Sequence, residues 1–412
     1  MGHVSKETYE RRGKGGAKVS WRAVAVDVHG KRCTKMFGKK VDADAWVLEM
    51  EANRRHGTVD MTVAELGAAH YRHFDGLVRA GLREAATRDG YATTLDVHLK
   101  YDPEFAATKL RKLTSPKIQT FLDLVFAEAG SMNVARTVRR TLVAWCAFGQ
   151  RRGWLASNPA QPCRIEATAR TDDEDGCEIP PKADLTALLE AAASGPTPER
   201  DTAIVRLLMF GGLRSSELLG LADEAVVEKV RSGVVRVRER LERRYRVLGK
   251  VKSARARRDV PVGSAAMQAV KRWRMVRGAT PGFAHTNMQG ATSRVPGRLF
   301  PAPGGGGVWG YQEFRRECWQ PLMKRAGLLS IVRDAKNIPR PIVAFAPHAL
   351  RHVAASLWIE QGLQPKRVQT LLGHSSLQMT MDLYGHLWSD EEADEALAQA
   401  SEGLIPQGTA AR

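Results

Sequence analysis

The sequence predicts an α+β protein, mainly helical, in three parts. A small N-terminal ββα-type module comes first, then a helical domain, then a mixed α/β domain over the C-terminal half. Three observations predict this. Apolar residues alternate in SWRAVAVDV at 20–28, and period two marks a strand. Between 61 and 160 they recur at three and four with capping signals between the runs, which is helical spacing. Beyond 181, helix-spaced runs flank a basic block of short strand-like segments at 231–262. A chain of 412 residues suffices for two or three domains, and 43% hydrophobic residues supply their cores.

The formal net charge of +18 calls for a polyanionic partner, although charge alone does not separate nucleic acid from a membrane surface. Cys33, Cys146, Cys163, Cys177 and Cys318 are odd in number and include no CxxC pair. They form no zinc or disulfide framework, and a reducing cytosol is the natural compartment. Cys146, inside VAWCAF, reads as a small core residue. No apolar run approaches the ~20 residues of a membrane span, and the polar start has no signal-peptide core. A soluble cytoplasmic protein is expected.

Residues 1–18 are basic and glycine-rich and are expected to be mobile. In the strand at 20–28, Val24, Val26 and Val28 share one face; His29-Gly30 is a turn signal and RCTKMF at 32–37 a partner strand. Asp42 can cap a helix through Trp46, Leu48 and Met50. Residues 1–60 hold 13 Lys/Arg against 8 Asp/Glu. In the next domain Thr62 and Glu65 form a capping-box pattern. Ser115-Pro116 opens a helix that stops at Gly130. A further helix carries Val134, Val138, Leu142 and Trp145 on one face, with Arg136, Arg139 and Arg140 largely off it. Such arginines are commonly a solvated surface; in so basic a chain a phosphate-facing surface is as reasonable. From 161 to 180 prolines and Asp172, Asp173, Glu174 and Asp175 replace apolar periodicity, which is linker composition.

Past 181 helices are expected at 182–193 and 198–210, followed by GGLRSSELLGL at 211–221. Here Gly211-Gly212 turn the chain and Arg214 opens a helix. Glu217, one turn on, either holds a guanidinium or is a surface acid. Residues 231–258 carry 12 Lys/Arg and two acids, Glu239 and Glu242. VVRVRERL, RRYRVL and DVPV read as strands, with KVKSARARR as a basic hairpin turn. After a helix at 264–277 a proline- and glycine-rich stretch is expected to be a flexible surface loop. YQEFRRECWQPLMKRAGL returns to helix.

The last stretch, His348 to His386, carries the chemistry. HALRH at 348–352 opens a helix on which His348 and Arg351 are neighbours one turn up. Pro365 starts a helix that stops at Gly373. His374 follows, and Ser375 or Ser376 caps a last helix bearing Tyr384. Alone, each residue is more often a solvated charge or a satisfied core group. Together, HALRH and LGHSSLQMTMDLYGH resemble the H-x-L-R-H box and the G-H-x…Y-x-H ending of the tyrosine recombinases, the phage-type integrases and their relatives. GGLR resembles that family's first arginine box. The stretch from Lys252 to Pro261 lines up with its K-[TS]…R-R-x-[VI]-P pattern, Lys250 being the rival lysine.

The resemblance implies an arm-type DNA-binding domain at 1–58 and a helical core-binding domain at 61–160. It further implies a catalytic domain at 181–390 and an acidic tail at 391–412 that docks on a neighbouring protomer or stays solvated. It implies catalysis without metal or cofactor by Arg214, Lys252, His348, Arg351, His374 and the nucleophile Tyr384. Arg136, Arg139, Arg140, Arg255, Arg257 and Arg258 are expected on DNA. The expected partners are double-stranded attachment sites, three further copies in a tetramer, an excisionase and DNA-bending host proteins. An integrase of a phage, integrative element or genomic island is the leading reading. Xer-like dimer resolution, type IB topoisomerase activity and a degenerate DNA-binding protein are the alternatives. A metal-dependent nicking enzyme lacks its histidine ligand cluster here, and a serine recombinase lacks its N-terminal catalytic domain.

Overall fold

The computed structural model describes residues 2–9, 18–26, 31–56, 59–165, 179–251, 253–304, 307–333 and 337–388. Lys252, the His29-Gly30 turn, residues 166–178 of the acidic linker and the 391–412 tail lie outside the described residues. The chain divides into two compact units, Met1–Ala169 and Arg170–Arg412.

The first unit opens with an antiparallel sheet in sequential order, β1 (His3–Tyr9), β2 (Lys18–Val26) and β3 (Arg32–Phe37). The start expected to be mobile therefore contributes a strand. Its polar HVSKETY pattern hid it, because an edge strand needs little apolar alternation. Helix α1 (Lys40–His56) packs Ala43 and Val47 against Ala23, with Trp21, Phe37 and Trp46 around them. That is the face opposite Val24 and Val26, and the alanines let helix and sheet approach closely. Asp42 lies in the first turn of α1 instead of capping it, where its charge still suits the helix dipole.

The helices α2 (Val63–Arg79), α3 (Ala85–Asp96), α4 (Pro103–Ala107), α5 (Ser115–Ala129) and α6 (Met132–Arg151) complete this unit. The capping box at α2 forms: Thr62 N–H donates to Glu65 Oε2 at 2.7 Å and Glu65 N–H to Thr62 Oγ1 at 3.2 Å. Helix α5 stops at Gly130 with φ +58°. Ile118, Phe121, Val138 and Trp145 are fully buried, and Cys146 lies in the same core.

The second unit is built on α8 (Pro198–Gly211), which follows α7 (Lys182–Ala193) and precedes α9 (Ser215–Leu219). Ala203, Ile204, Leu207 and Leu208 have no exposure. A helix apolar on so many sides must be buried, and α8 packs against α7 and two later helices, α10 (Ser264–Arg277) and α13 (Ala349–Glu360). Truncating Leu208 to alanine would cost about 2–5 kcal/mol.

The basic block folds differently from the expectation. β4 (Val226–Glu228), β5 (Ser232–Val237) and β8 (Arg258–Gly263) form one antiparallel sheet, while β6 (Glu239–Glu242) pairs with β7 (Val247–Lys250) in a second, two-stranded one. The true hairpin turn is at 243–246, with Arg246 at φ +54°. KVKSARARR does not turn a hairpin, because β7 and β8 belong to different sheets. It is a connection that ends the one and starts the other.

After α10 (Ser264–Arg277), the stretch expected to be a flexible loop contains a hairpin of β9 (Phe283–Thr286) and β10 (Thr292–Val295). Arg298, fully buried, pins it by donating to the carbonyl of Gly220 at 2.8 Å and to Glu239 at 2.8 Å. Leu299, Phe300 and Trp309 enter the core. The expected helix after it is α11 (Tyr311–Phe314) and α12 (Gln320–Arg325), joined by a π-helical turn Arg315–Trp319. The wider turn lies just ahead of Pro321, whose ring would clash in a regular helix. A second hairpin, β11 (Leu329–Arg333) with β12 (Pro339–Val343), was hidden by two prolines, which argue against a strand. Then come α13 (Ala349–Glu360), α14 (Pro365–Leu372) and α15 (Leu377–Tyr384). Among the described residues no helix is long and apolar enough to cross a membrane.

Candidate active site

Two helix C-termini and one buried acid assemble this site. Helix α8 ends at Gly212, φ +56°, where an added Cβ would lie 2.8 Å from the Trp358 ring. Only glycine fits both the backbone and the space. The turn delivers Arg214 to the N-terminus of α9 with its side chain 32% exposed. Arg214 N–H donates to Glu217 Oε2 at 2.9 Å and its guanidinium to Oε1 at 2.8 Å.

Glu217 is no surface acid. It is 2% exposed and takes a second guanidinium, with Arg258 Nη1 and Nη2 donating to it at 3.0 and 2.8 Å. Burial by itself would raise its pKa, but the Arg258 hydrogen bonds and the charges of Arg258, Arg351 and Arg214 outweigh it and hold the carboxyl at about 2. Arg258, expected on DNA, is thus a buried structural cation. Its Nε also donates to the Leu371 carbonyl at 2.6 Å.

That carbonyl belongs to the last turn of α14, where helical partners run out. The next one, Leu372, accepts from Arg351 Nη2, and Gly212 accepts from Arg351 Nη1 at 2.8 Å. Arg351, 1% exposed, therefore ties the end of α8 to the end of α14 with two of its five N–H donors. Burial first, then the Arg214 charge, lowers it to about 9, still cationic at neutral pH. Helix α14 stops at Gly373, φ +66°, where a Cβ would crowd Arg258 at 3.1 Å.

His374 follows, 6% exposed, with its Nδ1 3.0 Å from Thr380 Oγ1. Ser376, one of the two expected caps, accepts from Met379 N–H at 3.2 Å and starts α15. Tyr384 closes that helix at 1% exposure. His348 sits at the N-terminus of α13. Burial, then the charges of His352, Arg351, Arg214 and Arg243, lower it to about 4. Burial and Arg351 lower His374 to about 3. Both imidazoles are neutral at physiological pH.

A cavity of about 410 Å³ opens beside these groups, lined by Arg214, Glu217, Arg240, Val251, Ser253, Ala256, Gly373, Ser375 and Met379 among others. Val251 and Ser253 flank Lys252. Lys250 is exposed on β7 opposite Glu239. Arg255 donates to the Ser375 carbonyl, and Arg257 is exposed.

In the first unit Arg136 and Arg140 are exposed and, with Arg139 and Arg164, line a concavity of about 530 Å³. Arg139 is partly committed elsewhere, because its Nε and Nη2 donate to the carbonyls of Cys163 and Gln161 at 2.5 and 3.1 Å.

Sequence reasoning passed over three participants. His352 Nδ1 lies 2.6 Å from Tyr384 Oη; its signal was the second histidine of HALRH, four residues after His348. Thr380 orients His374. Arg243, in the β6–β7 turn, stacks on Tyr311 at 3.9 Å and donates to Ser215 Oγ at 3.1 Å. No spacing rule reaches that far.

Residues 181–391 match the phage integrase family. The chain is 31% identical over 288 residues to the tyrosine recombinase XerC of Mycobacterium sp. (strain JLS), covering 69% of this chain and 82% of the relative. It belongs to the phage integrase family of tyrosine recombinases. Members of this family are site-specific recombinases that cleave and rejoin DNA, and this recombinase is such an enzyme. Its fold is also that of the Tn1549 transposon integrase, solved with transposon right-end DNA (TM-score 0.63, 20% identity, 84% of this chain and 100% of that one). The XerH recombinase bound to a palindromic difH substrate is a second structural neighbour (TM-score 0.54, 18% identity, 75% and 79% covered).

Proposed function

We propose that this recombinase is an integrase whose Tyr384 attacks a phosphodiester to leave a 3′-phosphotyrosyl bond and a free 5′-hydroxyl. One phosphate ester replaces another, so no nucleotide hydrolysis is needed. The observation that carries the reading is the bracing of Arg351 between Gly212 and Leu372. That single side chain joins the GGLR turn, the HALRH helix and the LLGH turn next to the tyrosine helix.

Arg214 and Arg351 are the forks for the two non-bridging oxygens, where negative charge grows in the transition state. Removing a preorganised donor of this kind typically costs about 3–4 kcal/mol of barrier. His374, its Nδ1 taken by Thr380, has Nε2 to offer the phosphoryl group. His348, neutral at physiological pH, serves general acid–base exchange. Lys252, between two cavity-lining residues, protonates the leaving 5′-oxygen.

Double-stranded DNA is the substrate. On this reading Arg136, Arg140, Arg255 and Arg257 meet phosphates, and four copies exchange strands in pairs. Integration is favoured over dimer resolution by the β1–β3/α1 module, which has its own small apolar core and exposed Lys6, Arg22, Arg32 and Lys35, and so suits a second set of DNA sites. The XerC likeness favours resolution as the second reading. A nicked suicide substrate tests the chemistry: wild type should form a denaturation-resistant adduct and Tyr384→Phe none, while both bind the site. An adduct with Tyr384→Phe would end the proposal.

A further inference from the structure

The roles just set out leave a short polar contact of the nucleophile without a task. His352 Nδ1 lies 2.6 Å from Tyr384 Oη. We propose that His352 is a catalytic residue, the base that takes the phenol proton as Tyr384 attacks phosphorus; this rests on Tyr384 being the nucleophile.

Position is the first argument. His348 and His352 are one turn apart on α13, their rings edge to face at 5.0 Å. Of the two, it is His352 that reaches the Tyr384 oxygen. The two rings thus divide the work: the Tyr384 proton falls to His352, and the acid–base exchange assigned to His348 is with the phosphoryl oxygens.

Chemistry is the second. A neutral imidazole has one acceptor nitrogen, and a phenol is the better donor of the pair, so the Tyr384 O–H donates to Nδ1 and Nε2 carries the ring proton. Among the described residues, the titratable and charged groups around His352 are His348 and Arg351 on its own helix, Tyr384 on α15 and His374 just ahead of α15. Burial and then Arg351 lower His352 to about 4, which keeps it neutral and able to accept.

The step balances without any further reagent. The Tyr384 O–H bond breaks and its proton passes to His352 Nδ1, giving an imidazolium. The Oη–P bond forms as the P–O5′ bond breaks, and O5′ leaves with that electron pair and takes a proton from the leaving-group acid. Rejoining runs the reverse. Arg351 disfavours the imidazolium, so the proton returns readily to the departing tyrosine oxygen.

The test is single-turnover trapping of a suicide substrate by His352→Ala, His352→Asn and His348→Ala, each carrying tyrosine or 3,5-difluorotyrosine at position 384. His352→Ala should trap DNA about 100-fold more slowly or worse, with DNA binding unchanged. Difluorotyrosine, a more acidic phenol, should restore most of that loss, and should not rescue His348→Ala. His352→Asn keeps a hydrogen-bond acceptor of similar reach without a base, so it should be as slow as the alanine variant. The proposal is overturned if His352→Ala stays within about threefold of wild type, if asparagine restores the rate, or if difluorotyrosine rescues His348→Ala instead. Trapping by Tyr384→Phe would refute the nucleophile itself, a separate result.

Discussion

Replacing Glu217 with glutamine keeps the shape at the centre of the site and removes the buried negative charge held between Arg214 and Arg258. Holding a carboxyl at about 2 when its ordinary value is 4.5 corresponds to about 3 kcal/mol of folding stability. A second route agrees. Breaking a buried ion pair by neutralising one partner typically costs about 3–5 kcal/mol, because the other charge stays buried. In a domain of this size that lowers Tm by roughly 6–12 °C. The folded value lies below the unfolded one, so the contribution is fully present above about pH 4.5 and is lost as pH falls from there to about 2. Denaturant melts of wild type and Glu217→Gln between pH 7 and pH 3 should therefore show a gap that narrows below about pH 4.5. A gap under about 1 kcal/mol at pH 7, or one that does not change with pH, would mean that the Glu217 charge does not stabilise the fold.

Two further outcomes follow from the placement of other residues. Lys252→Ala should be rescued by a substrate with a 5′-bridging sulfur, since a thiolate leaves without protonation, and Lys250→Ala should show only weaker binding with a shallower salt slope; rescue of the Lys250 variant would exchange the two. Deleting residues 1–58 should leave cleavage of a core site intact, because every proposed catalytic residue lies beyond Gly211, while footprints on a distal set of sites disappear; unchanged footprints would remove the arm-binding role.

The helices of both units were legible because their signals are local. Thr62 and Glu65 cap α2 within one turn, and Gly130 and Gly373 stop their helices through backbone conformation alone. Arg214, His348, Arg351, His374 and Tyr384 stood out for a different reason: their spacing in GGLR, HALRH and LGHSSLQMTMDLYGH resembles motifs of the family. What stayed hidden depends on contacts far apart in sequence. Nothing local distinguishes Arg258, buried against Glu217 41 residues earlier, from Arg257, exposed beside it. The β9–β10 hairpin looked like loose loop because its anchor is one arginine, Arg298, donating to Gly220 78 residues away. The first strand and β12 were missed because an edge position and two prolines remove the alternation by which strands are recognised.

Mapping the covalent adduct asks whether these segments serve one nucleophile. Trapped complex from a suicide substrate, digested with nuclease and protease and sequenced by mass spectrometry, should carry a 3′-linked nucleotide on Tyr384. A nucleotide on any other residue would mean that Tyr384 is not the nucleophile, and one joined through its 5′-phosphate would mean that the leaving group is not O5′.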